Sequence, residues 1–442
     1  IGGRAALETL IECASSGSFF RTFPAIDVLG RSGDPRAVAP LARLLADPQY
    51  LPEAARALAR TGERASVKPL LALLDTSSDA IVRVAVSSLA ELRQRFEEKS
   101  GADARPIDEL IRADVGPELI RRLARVMSTA DVPEAIACCK VLGAAEHAEA
   151  APLLAILLDG PPALAACAAA ALKKVGAEAT AHLLQAVREG SSARRKVLLP
   201  VVTRSSAAPD VASCLDDADP EVRTLACDTL ARLGDASVVP RLFRLLEDTN
   251  LRVVHSATAA IQALSTREGL QLGVEAAGSA NAIVRRSAVR ILAYFGDDIA
   301  LVPILAALED SDARVREAAL QGLPYLADRR ALEALFEAIK SLDSRTRAIA
   351  ARSLGHVVNV NERVYSLLLK GLADADAWVR YYACQSLGRL GYGPAAPQIA
   401  KLTKDEAGQV RVSAVESLAH LDSADARQAL RAAAAAADLE VK

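Results

Sequence analysis

Aromatic side chains are scarce in this chain: Phe, Trp and Tyr together make up 3% of 442 residues, and Trp378 is the single tryptophan. Cores made of facing β-sheets draw on β-branched and aromatic residues, so the scarcity argues against sandwiches and barrels and for helices packed on helices. An excess of one charge is also missing. The formal net charge is −2, so no global field draws the chain to nucleic acid or to a membrane surface, and electrostatic recognition has to be local. The seven cysteines (Cys13, Cys138, Cys139, Cys167, Cys214, Cys227 and Cys384) include no C-x-x-C pair. Most lie among Ala and Leu, as small buried apolar residues of a reducing compartment do; only the adjacent Cys138 and Cys139 suggest redox chemistry. No long apolar run is present. The most apolar stretch, residues 151–172, is cut by Asp159-Gly160-Pro161-Pro162 into pieces too short to span a bilayer. With no signal-peptide pattern either, a cytoplasmic location without a membrane span is expected. The first residue is Ile1 rather than Met, so a preceding segment is expected.

What the sequence does contain is a period. The stretches "DPEVRTLACDTLARLGD", "NAIVRRSAVRILAYFGD", "DARVREAALQGLPYLAD" and "DAWVRYYACQSLGRLGY" align without gaps. With the Arg of the V-R pair as position zero, the series runs Arg223, Val254, Arg285, Arg316, Arg347, Arg380 and Arg411, in steps of 31 residues with one of 33. Weaker copies centred on Thr22, Leu51, Arg83, Ala135, Ala165 and Arg195 bring the total to thirteen units. Between Arg83 and Ala135 lie about 20 extra residues, an insertion at 97–116. Self-similarity at such a period is the mark of stacked repeats.

Each unit explains itself physically. Four residues before position zero stands Ser18, Asp47, Asp79, Asp131, Ser191, Asp219, Asn250, Asn281, Asp312, Asp343 or Asp376, an N-cap in eleven of thirteen units. Positions −1, +3, +7 and +10 are apolar, as in Val379, Ala383, Leu387 and Leu390, the stripe of an amphipathic helix. A shorter helix precedes it, with Pro40, Pro69, Pro152, Pro240, Pro303 or Pro397 in its first turn, where no intrahelical partner awaits the missing N–H. One such pair cannot bury its stripe alone, but stacked pairs share a continuous core. The expected fold is all-α, a right-handed α-solenoid of about 13 helix-turn-helix repeats forming a single domain over 1–442. Repeats 1–3 occupy 1–96, repeats 4–13 occupy 117–421, and a capping helix fills 422–442. The insertion reads as a surface loop with a short extra helix, or as a carrier of partner contacts.

The consensus "P-L-L-x-L-L-x-D-x-D-x-x-V-R-x-x-A-x-x-A-L-x-x-L-G" resembles HEAT repeats, specifically the short HEAT-like class first associated with phycobilisome lyases. The resemblance runs over essentially the whole chain and is weakest in repeats 1, 2 and 4–6. It implies that second helices line a concave face. It also implies a ladder between neighbouring repeats made of the loop Asp and the following Arg, here Asp310 with Arg316 and Asp374 with Arg380. A phycobilin lyase or isomerase role is implied by resemblance alone.

Chemistry finds little support in the sequence. No P-loop, G-x-S-x-G or Rossmann fingerprint occurs. None of His147, His182, His255, His356 and His420 is followed by Glu, so the His-Glu pairs of a HEAT-like di-iron hydroxylase are missing. His356 and His420 share a column two repeats apart, about 20 Å by helix-layer spacing, which is too far for one metal. No catalytic residue, metal ligand or cofactor is expected. Positions −2, +1, +5 and +9 of the second helix point away from its core stripe and define the candidate binding face. Repeat 9 puts Arg286, Arg290 and Tyr294 there, and repeat 10 Arg314, Glu317 and Tyr325. Repeat 11 adds Arg345, Ala348, Arg352 and His356, and repeat 12 adds Trp378, Tyr381 and Arg389. Tyr382 falls on the flank.

Six arginines, four aromatics and one glutamate suit an acidic peptide or a partner's acidic patch. A solvated helix face whose arginines pair with loop carboxylates is the other reading, and both stay open. Arginines interleaved with aromatics also describe a nucleic-acid groove, against which stand the pI near 6.3 and the absence of lysine clusters. The expected function is a non-catalytic scaffold or regulatory adaptor in a bacterium, binding an acidic protein partner.

Overall fold

The computed structural model describes residues 4–76, 78–101, 103–175 and 177–435. Ile1, Ala102 of the insertion and residues 436–442 of the expected capping helix lie outside them. The described residues form 28 α-helices and no strand. They divide into two compact units, residues 1–229 and 230–442.

In the first unit the helices Phe19–Ser32, Leu51–Thr61, Asp79–Ser100, Val132–Ala145 and Pro162–Val175 pack in succession as second helices of their repeats. Their caps follow the sequence with local shifts. Asp131 accepts the Glu134 amide at 2.8 Å while the Glu134 carboxylate accepts the Asp131 amide at 3.3 Å, a complete capping box. Ser78, one residue earlier than expected, occupies the N-cap position of the helix that Asp79 begins, without a side-chain hydrogen bond to it. Asp47 instead heads an extra turn, its carboxylate accepting the Gln49 amide at 2.9 Å, and the helix starts only at Leu51.

The insertion is built into the core rather than looped over it. Helix Arg105–Asp114 buries Ile107 and Ile111 and packs on helices Val67–Ala72 and Val132–Ala145. Its Asp108 is also buried and accepts from Arg93 at 2.8 and 3.2 Å and from Lys174 at 3.0 Å, joining three helices through one carboxylate. Five of the seven cysteines are buried. Cys167, only half-buried, donates to the Ile136 carbonyl at 3.8 Å, and the neighbouring Cys139 thiol of the preceding second helix holds its pKa below the ordinary cysteine value.

In the second unit the second helices Leu251–Leu264, Ala282–Phe295, Ala313–Gly322, Ser344–Leu354, Ala377–Arg389 and Gly408–His420 pack in order. Val315, Ala319, Leu323, Val379, Ala383 and Leu387 are all buried, so the predicted stripe is the core. Two devices lock successive repeats together. The first is the arginine ladder. Arg285 donates Nε and Nη2 to Asp310 at 2.7 and 2.8 Å and Nη1 to the Ser279 and Ala280 carbonyls at 3.0 Å each. Arg347 meets Asp374 in the same way, and Arg380 meets Asp405. The pairing therefore runs from an arginine to the loop Asp of the next repeat. The Asp before the arginine contributes its backbone carbonyl, as Asp310 does to Arg316 at 2.7 Å.

The second device is close contact between helix backbones. A Cβ added to Gly355 would lie 2.9 Å from the Ser386 Cα, and one on Gly388 2.8 Å from the Ser417 Cα. Gly30 faces Ala57 and Gly143 faces Ala171 in the first unit in the same register, position +8 against position +6 of the next repeat.

Candidate partner-binding face

The four outward columns separate into two regions. Positions +5 and +9 of repeats 9–11 come together: Arg290, Tyr294, Gln321, Tyr325, Arg352 and His356 all line one open cleft of about 520 Å³. A proline produces the dip. Pro324 stands at position +8, where neighbouring repeats carry Ala293, Gly355 and Gly388. It has no N–H to continue an α-helix, so Ala313–Gly322 gives way to a 3₁₀ turn over Leu323–Tyr325. Gly322 beside it approaches Ala293 so closely that an added Cβ would sit 2.7 Å from that methyl. Tyr294 and Tyr325 keep 60% and 56% of their surface open to solvent, so their rings form walls rather than core.

Positions −2 and +1 lie outside the cleft. Arg286 is half-buried and Arg314 exposed, Arg345 pairs with Glu317 at 2.5 Å, and Ala348 is buried. Trp378 and Tyr381 meet edge to face with centroids 5.5 Å apart. Tyr382 belongs with them, its ring 6.1 Å from Trp378 and 5.0 Å from Tyr381. The Arg352 guanidinium lies 5.7 Å from the Tyr382 centroid, so one arginine touches both cleft and aromatic cluster. Sequence periodicity missed Tyr382, Gln262, Ser353 and Pro324. The proline in a column of small residues was the available signal for the cleft.

His356 closes one end. Arg389 Nη1 lies 2.8 Å from its Nε2 and 2.9 Å from its Nδ1. Guanidinium has no acceptor, so the contact is favourable only to a neutral imidazole. Burial, Arg389 and Arg352 together hold the His356 pKa below the ordinary histidine value. Replacing Arg389 by methionine removes one of the two positive neighbours and is expected to move the midpoint upward, part of the way back. Imidazole NMR titration reads this directly, and an unchanged midpoint would show that Arg389 is not a cause.

Charge pairing distinguishes this face from the ladder on the same helices. Of the six outward arginines only Arg345 has a carboxylate partner among the described residues. Arg286, Arg290, Arg314, Arg352 and Arg389 have none, whereas Arg285, Arg347 and Arg380 each hold an aspartate. Among the described residues no group of three or more His, Cys, Asp or Glu side chains is placed to hold a metal ion. No described helix is long and apolar enough to cross a membrane.

Paired helices stacked with an outward side-chain face define an α-solenoid. The family model for HEAT repeats matches residues 23–90, 208–293, 271–355, 301–376 and 365–442. These segments cover more than half of the chain, and the protein belongs to the HEAT-repeat family. Among solved structures it is similar to Kap95 in the Kap95–Nup1 complex, with 12% identity over 95% of this chain and 61% of that one and a TM-score of 0.55. It is similar also to Kap95p bound to RanGDP, with 13% identity over 95% of this chain, 60% of that one and a TM-score of 0.53. At such identity the likeness is one of fold, and this chain spans about three fifths of the Kap95 length. The CpcE–CpcF phycocyanin lyase complex of Nostoc matches 51% of this chain and 92% of its own at 21% identity, with a TM-score of 0.34 that carries no functional argument. No curated protein matches the sequence.

Proposed function

We propose that the protein is a non-catalytic scaffold that binds an acidic protein segment along repeats 9–12. The observation that supports this is the set of five outward arginines without carboxylate partners, in helices whose other arginines are all engaged with backbone or acid. A guanidinium fork left open on a regular helical surface is a ready site for charge-assisted bonds to a carboxylate from outside. The Kap95 complexes with RanGDP and Nup1 are examples of protein partners held by the same fold.

Binding to immobilised polyglutamate, followed over a salt series, tests the reading. The Arg286→Gln/Arg314→Gln variant is expected to lose roughly tenfold in affinity, the scale of one or two charge-assisted bonds. Retention of polyglutamate undiminished in that variant would refute the role of these side chains. Tight binding of a single-stranded oligonucleotide with a steep salt slope, and none of polyglutamate, would assign the face to nucleic acid instead.

A further inference from the structure

The cleft of repeats 9–11 is more specific than the acidic-partner reading requires, and the inference here rests on that reading. At about 520 Å³ it falls in the size class of pockets that enclose a small ligand, larger than one oxyanion fills. Its lining combines two chemistries. Arg290 and Arg352 supply two guanidiniums with no carboxylate partner among the described residues, and no Asp or Glu lines the cleft. Arg389 stands behind His356 as a third positive charge. The lining also holds Pro324 and the open rings of Tyr294 and Tyr325, a surface suited to a flat apolar group.

A carboxylate brings one negative charge and would balance one arginine. A phosphate monoester carries about −1.5 to −2 at neutral pH and three acceptor oxygens, enough for both forks. An aryl phosphate adds the ring that the tyrosine walls would stack. The cleft is continuous with the Trp378–Tyr381–Tyr382 cluster through Arg352, whose guanidinium lies over Tyr382. A chain that places one side chain in the cleft therefore meets an aromatic platform for a neighbouring residue. From this charge balance and continuity we propose that the cleft of Arg290, Tyr294, Tyr325 and Arg352 receives a phosphotyrosine side chain of the protein partner, with the Trp378 cluster taking an adjacent apolar residue.

The test uses one labelled acidic peptide with a central tyrosine followed by leucine, in its tyrosine, phosphotyrosine and phosphoserine forms, in fluorescence polarisation with the full chain. The phosphotyrosine form is expected to bind at least about tenfold more tightly than either other form. Phenyl phosphate is expected to displace it more effectively than inorganic phosphate or benzoate. Arg290→Gln and Arg352→Gln are each expected to erase the preference, whereas Arg286→Gln/Arg314→Gln weakens all three forms alike. Both cleft arginines are exposed, and circular dichroism checks that the variants fold. In the unmutated chain, phenyl phosphate is expected to raise the His356 midpoint, which needs no variant. Equal binding of the three forms overturns the proposal while leaving the acidic-partner reading in place. Loss of binding to every form and to polyglutamate overturns both. Stronger displacement by an adenine nucleotide than by phenyl phosphate reassigns the cleft to a nucleotide and overturns the phosphotyrosine assignment.

Discussion

Replacement of Arg380 by alanine is expected to cost about 3–5 kcal/mol of stability, the cost of breaking a buried ion pair from one side. The Arg380 and Asp405 side chains are only 9% and 8% exposed. Truncation leaves the Asp405 carboxylate without its two bonds, at 2.9 and 2.8 Å. It also removes the donor to the Asp374 and Ala375 carbonyls, which Arg380 Nη1 reaches at 2.9 and 3.0 Å. Chemical denaturation followed by circular dichroism measures the loss. Because solenoid stability is a sum over repeats and their junctions, hydrogen exchange is expected to place it in repeats 12 and 13 first. Adding Asp405→Ser should recover much of it, since the stranded charge is then gone. A loss below about 1 kcal/mol would place the pair in the class of solvated surface bridges.

The same ladder fixes the sign of the acid response. Arg285 and Arg347 hold Asp310 and Asp374 below the usual carboxylate range. At Asp405 burial pushes upward, but Arg380 and the Ala407 amide outweigh it and the pKa is again lowered. A carboxyl depressed on folding stabilises fully above its unfolded value of about 3.9, and that contribution disappears as pH falls through the folded value. The difference between the wild type and Arg380→Ala is therefore constant near neutrality and shrinks below about pH 4.

Substitution of Gly388 by valine is the second large effect, expected at about 3 kcal/mol, the upper part of the range for overpacking. The obstacle is backbone: the new Cβ would sit 2.8 Å from the Ser417 Cα, and no rotamer change removes a Cα. Helices Ala377–Arg389 and Gly408–His420 would have to separate, thinning the contact across the whole junction. Gly388→Val/Ser417→Gly relieves the side-chain part of the clash and should restore part of the loss. Thermal and chemical denaturation of the four proteins of this cycle gives the coupling. A single valine variant within about 1 kcal/mol of wild type would show that the helices slide apart freely.

Local features were legible in the sequence and relations between repeats were not. The caps Asn281, Asp312 and Asp376 and the stripe Val379, Ala383 and Leu387 act within one helix, so spacing alone located them. Asp79 and Asp47 missed by one and three residues because cap position depends on how the preceding turn closes. Tyr382 stands between the inward and outward sectors, and its place depends on Trp378, Tyr381, the Arg352 guanidinium of the preceding repeat and the core it packs on, which one repeat's spacing does not describe. The partner of each ladder arginine lies 25 to 27 residues onward, across a junction that one repeat's pattern does not describe. The insertion offered no period to read, and its burial depends on Ile107 and Ile111 finding neighbouring helices.

The ladder also has gaps with a mechanical meaning. Clamps join repeats 9 to 10, 11 to 12 and 12 to 13. Repeats 8 and 9 meet with Val254 and Ser279 at the clamp positions, and repeats 10 and 11 with Arg316 and Ser341, so neither junction has the Arg–Asp pair. Those two junctions flank and cross the cleft. Bending between repeats 10 and 11 strains only the exposed Arg345–Glu317 pair, while bending at the clamped junctions must break a largely buried Arg–Asp pair. Under a pull or a closing ligand, deformation is expected to concentrate at these two seams, so the cleft lies in the more compliant part of repeats 8–13.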